Sequence, residues 1–121
     1  MSRRNANRLN ASFVAANQSI ASQIDKNPVL QGMGTTAVAV LGRDSPVALA
    51  HIGDSRAYLC RDANLTRLTR DHSWVEEQVR AGKLSVEDAR EHPGRNIVTR
   101  ALTGGTNLDV EVSEVKLNTG D

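Results

Sequence analysis

Aromatic side chains are almost missing: Phe13, Tyr58 and Trp74 are the whole supply in 121 residues. A core must therefore rest on Val, Leu, Ile and Ala. Charge of one sign is not in excess either, with 15 basic against 14 acidic residues and a net charge of +1. A nucleic-acid surface needs clustered basic residues and stacking aromatics, so neither balance supports one. Cys60 is the single cysteine, which excludes an internal disulfide and fits a reducing compartment. On a strand-like segment it is expected to be a small buried residue. Apolar runs such as Thr36 to Gly42 fall far short of the ~20 residues of a spanning helix. No apolar segment follows Met1-Ser2-Arg3-Arg4 as a secretory signal requires. A cytoplasmic chain without a membrane segment is the expectation. At 39% hydrophobic and 24% charged residues, the composition is that of an ordinary globular domain.

What is present is periodic. Leu9, Phe13, Ala16, Ile20 and Ile24 recur at spacings of three and four, predicting an amphipathic helix over Arg8 to Lys26 with Asn17 on its polar side. Pro28 ends it near Asn27. Thr36 to Leu41 is apolar at both parities, which predicts a central strand covered on both faces. The Gly32-Met33-Gly34 turn before it lacks the Lys-Ser/Thr and following helix of a phosphate loop, and reads as a strand entry.

The stretch Val47 to Arg61 places two strand-like runs around Gly53-Asp54-Ser55, a turn that reads as a hairpin and aims a carboxylate. Asp62-Ala63-Asn64 forms the next turn, and Leu65 to Thr69 a short strand, so an antiparallel meander is expected. Ser73-Trp74-Val75-Glu76 is a capping box, Gly82 a helix stop, and Ser85 a second helix start closed before Pro93. Arg95 to Leu102 has mixed helical and extended character. Asp109 to Leu117 reads as a last strand with a bulge near Ser113, because its apolar parity switches there. His51 reads as a sheet histidine, His72 as part of a helix entry and His92 as a helix end. The three lack short metal-ligand spacing. Ser55 lacks the context of a nucleophile elbow.

Four segments in order carry a resemblance: Gly32 to Thr36, Ala50 to Tyr58, Leu68 to Ser73, and His92 to Leu102. Together they resemble the metal-dependent, type 2C-like serine/threonine protein phosphatases, especially the bacterial branch. The resemblance implies an α+β fold, part of an α-β-β-α sandwich of antiparallel sheets flanked by helices. It divides the chain into a covering helix (1–28), antiparallel strands (30–70), a flap (73–95) and a helix and strand return (96–121). It further implies hydrolysis of phosphoserine and phosphothreonine in proteins by a Mg2+ or Mn2+ pair, whose bridging water attacks phosphorus in line. Asp54 corresponds to a ligand of a third metal, and Asn96 falls at the flap end, where it offers an oxygen to that metal. The motifs that hold the two main metals do not occur in this sequence, and no residue is assigned a catalytic role. The expectation is the middle of a phosphatase domain, inactive and without a tightly bound metal by itself. Phosphorylated proteins and serine/threonine kinases are the expected partners, and a degenerate phosphatase that binds them without catalysis is the alternative.

Overall fold

The computed structural model describes residues 2–121. Helix α1 (Ser2–Lys26) is followed by a 3-10 turn at Pro28–Leu30 and strands β1 (Ala37–Leu41), β2 (Val47–Ile52), β3 (Tyr58–Arg61) and β4 (Asn64–Arg67). Helices α2 (Trp74–Arg80) and α3 (Val86–Glu91) come next, and β5 (Glu111–Val115) closes the order. The α+β class holds, and all strand pairing within the two sheets is antiparallel.

The middle strand is β2, flanked by β1 and β5. Every residue of β2 is buried, which explains its continuous apolar run. Its even-numbered side chains, Ala48, Ala50 and Ile52, join Leu9 and Phe13 of α1 and Leu102 in the core. Two alanines at the centre let the helix sit close to the sheet, and burying Ile52 contributes about 2 kcal/mol. The strand expected to be central, β1, is instead an edge. Its Ala37, Ala39 and Leu41 pack on the core, while Val40 stays 59% exposed.

Helix α1 begins earlier than its apolar period predicts, and one position on it corrects the sequence reading. Ala16 is exposed, and Asn17 takes the buried place below Phe13. Its amide donates to the Gly105 carbonyl at 2.9 Å and accepts from the Gly104 N–H at 2.8 Å. A carboxamide that satisfies two loop groups is thus compatible with burial.

The Gly53-Asp54-Ser55 turn is not a hairpin. It carries the chain out of the three-stranded sheet into a separate two-stranded one, β3–β4. That second hairpin turns through Asp62 and Ala63, both with positive φ, as a two-residue type I′ connection requires. Cys60 lies on its exposed side, contrary to the expectation of burial. The final strand runs in unbroken register, Val47 opposite Val115 and His51 opposite Glu111. No bulge is needed, because Val112 faces α1 with Ala50 while Val115 shares the other face with Val47 and Leu49. Arg95 to Leu102 contains no helix. It is pinned by bridges of Val98 to Ser73 and Leu102 to Thr35.

Candidate functional site

The crossover from β2 to β3 is tied down at nearly every step. Gly53 donates its N–H to His72 Nδ1 at 2.9 Å and accepts from the His72 N–H at 3.0 Å. Its φ of +105° and the Thr36 side chain lying where a Cβ would stand demand glycine. The Ser55 and Thr36 hydroxyls are 2.6 Å apart. Arg56 grips Asp71 through two parallel bonds, 2.9 Å from Nε and 2.6 Å from Nη2. That contact raises the Arg56 pKa and keeps its guanidinium charged. Ala57 is held by the Thr69 hydroxyl at 3.1 Å. Asp54, half-buried, differs: among the described residues none donates a hydrogen bond to its carboxylate.

Below the crossover lies a grouping that sequence reasoning missed. His51 and His72 stack with centroids 4.5 Å apart and planes 12° from parallel. Glu111 stands 3.9 Å from His51 Nε2 and 3.7 Å from His72 Nε2. The three offer ligand atoms within 4.8 Å of one another, yet their hydrogen bonds argue against a cation. His72 Nδ1 accepts from Gly53, so its Nε2 carries the proton and has no lone pair for a metal. His51 Nε2 faces the Arg70 carbonyl at 2.9 Å, where only an N–H satisfies the contact. Arg100 also approaches His72 Nε2 at 3.4 Å, donor against donor, while pairing with Asp109 at 3.2 Å. Burial first, then Arg100 and His51, lowers the His72 pKa, against a smaller opposing pull from Glu111. The trio is a structural plug between β2, β5 and the 70–72 segment.

The segment 73–95, which the resemblance makes the flap, is an excursion with a closed base. Trp74 donates its backbone N–H to the Ile97 carbonyl at 2.9 Å, and Thr99 to the His72 carbonyl at 2.9 Å. Ser73 caps α2 through the Glu76 N–H, and Ser85 caps α3 through the Asp88 N–H. Trp74 packs on His92 with ring centroids 4.8 Å apart. Between the flap and the β3–β4 hairpin runs a groove of about 380 Å³, lined by Arg56, Arg67, Val79, Arg90, Arg95 and Asn96 among others. Asn96 is exposed there; Asp54 is not among the groove residues.

The family model described as "Protein phosphatase 2C" matches residues 2–80, and the chain belongs to that family. The serine/threonine protein phosphatase PstP of Mycobacterium tuberculosis is 45% identical over 97 residues, covering 80% of this chain and 19% of that protein. The crystal structure of the M. tuberculosis phosphatase PstP/Ppp superposes with a TM-score of 0.91 at 39% identity, over 96% of this chain and 49% of that one. The catalytic domain of PstP in complex with two manganese ions superposes with a TM-score of 0.79 at 37% identity, over 93% of this chain and 46% of that one. The chain thus spans about half of those solved domains, and a fifth of the full relative. A two-metal centre does not fit the residues present. Asp54 brings one carboxylate and belongs to no metal-capable grouping among the described residues.

Proposed function

We propose that this chain is the central part of a metal-dependent phosphoserine/phosphothreonine protein phosphatase domain. One observation carries the reading. A crossover fixed by Thr36, Thr69, Asp71 and His72 leaves the half-buried Asp54 carboxylate without a hydrogen-bond donor among the described residues, and that free carboxylate supports its reading as a ligand of an auxiliary Mg2+ or Mn2+ ion. Asn96, at the end of the flap, is the further candidate ligand. The pair of cations that activates water is then held by residues outside this chain. The substrates are phosphorylated proteins, and the location is cytoplasmic.

The test compares the 121-residue chain with a longer protein that includes its flanking coding sequence. With a phosphothreonine peptide and Mn2+, the longer protein hydrolyses and the short chain does not. Asp54→Ala lowers the longer protein's activity by on the order of tenfold or more, since losing even an outer partner of a metal ligand costs about 10–100-fold. Hydrolysis by the short chain that Asp54→Ala abolishes would overturn its inactivity alone. A second reading, a non-catalytic module binding a kinase or phosphoprotein, draws on Asp54 belonging to no group of three or more metal-capable side chains among the described residues. It prevails if the longer protein binds such partners without metal-dependent turnover.

A further inference from the structure

We propose that the groove between the flap and the β3–β4 hairpin docks an acidic peptide segment of a partner protein. Four guanidiniums, Arg56, Arg67, Arg90 and Arg95, line it. Arg56 is committed to Asp71. Among the described residues, Arg67, Arg90 and Arg95 form no ion pair. Of the two acidic side chains in the lining, Asp71 is neutralised by Arg56, and Glu76 stands alone against three arginines outside any ion pair, of which Arg95 donates from Nη1 to the His92 carbonyl at 3.1 Å. Val75, Val79 and Val86 supply apolar floor between the charges. A string of carboxylates with intervening small residues matches both parts of that surface, and arginine forks suit carboxylates geometrically. The β4 side (Arg67) and the flap side (Arg90, Arg95) face the same space, so an extended segment lying along the groove reaches both walls. Nucleic acid, the other common polyanion, would need stacking aromatics, and the groove lining contains none. On the phosphatase reading above, this groove selects substrates with acidic residues flanking the phosphorylated one; binding itself does not depend on that reading.

The experiment is fluorescence anisotropy with the 121-residue chain and an unphosphorylated peptide of Asp, Glu, Ser and Ala. Its counterpart has every Asp and Glu replaced by Asn and Gln. Saturable binding of the acidic peptide alone is expected, weakening as salt rises. Arg67→Glu and Arg90→Glu, exposed positions on opposite walls, each weaken it about three- to tenfold, the range set by reversing one exposed charge contact. Arg43→Glu, in the distant β1–β2 turn, makes the same change in net charge and leaves binding unaltered. Circular dichroism confirms that each variant keeps the parent fold. Equal binding of both peptides, an equal effect of Arg43→Glu, or full displacement by a short RNA of matched charge overturns the proposal. Failure of the hydrolysis assay with peptide binding intact removes the phosphatase reading alone.

Discussion

Replacing Gly53 by alanine tests the geometry of the crossover most directly. At φ +105° an alanine costs about 1–3 kcal/mol in backbone strain. The added methyl would stand 2.6 Å from Thr36 Cβ, where ordinary carbon contacts lie at ~3.5–4.0 Å. Strand β1 begins one residue later, so Thr36 yields only by dragging the sheet edge or giving up its Ser55 hydroxyl contact, worth about 1 kcal/mol. The sum is about 2–4 kcal/mol, a large share of a typical domain stability of ~5–15 kcal/mol. Thermal and urea unfolding followed by circular dichroism measure it, with a drop in Tm of about 10 °C or more expected. Gly82→Ala is the internal control. Gly82 also has positive φ, +74°, but nothing lies within 4 Å of its missing Cβ, so about 1 kcal/mol is expected there. If Gly53→Ala falls within ~0.5 kcal/mol of Gly82→Ala, the steric part of the reasoning is wrong.

Four further outcomes are expected. Stability should be level above about pH 7 and fall as pH drops below 6.5, because the unfolded chain protonates His72 at its ordinary value of 6.5 while the fold holds that pKa lower. Chemical denaturation across that range should show a shallower decline in His72→Gln. Asn17→Ala strands the Gly104 N–H and Gly105 carbonyl and should cost about 2–3 kcal/mol by urea melts. The Asp121 carboxyl, held by Arg61 at 2.7 Å, titrates near pH 2; carbon NMR of its side chain should show this, and Arg61→Gln should return it toward 3.8. Because β1 is a sheet edge whose Val38 and Val40 stand 36 and 59% exposed, size exclusion of the 121-residue chain should show concentration-dependent association.

Local regularity was readable in the sequence; partnership between distant segments was not. The 3.6 period located α1, yet period alone assigns Asn17 to solvent, since it cannot see the Gly104-Gly105 loop 87 residues away. Unbroken apolarity marked both β1 and β2, and only the arrival of β5 on the far side of β2 decides which is central. A glycine turn between strand-like runs is the signal of a hairpin, and the same signal serves a crossover when each run finds a better partner. The parity switch in β5 looked like a bulge because strands with two useful faces carry apolar residues at both parities. His51 and His72 were individually unremarkable; their stack exists because the Gly53–His72 hydrogen bonds bring the 70–72 segment back under β2. The capped flap helices, by contrast, were legible nearly to the residue, because Ser73, Ser85, Gly82 and Pro93 are local signals.

The closed base of the flap has a further consequence. Paired backbone at residues 72–74 and 97–99 means that the two ends of this excursion are held together by the sheet side, whatever the excursion contains. Lengthening the Lys83–Leu84 link between its helices adds only the slow, logarithmic entropy of a longer loop, about 0.6 kcal/mol per doubling. The molecule therefore carries a natural splice point: a reporter peptide or extra domain placed there is insulated from the β2 core.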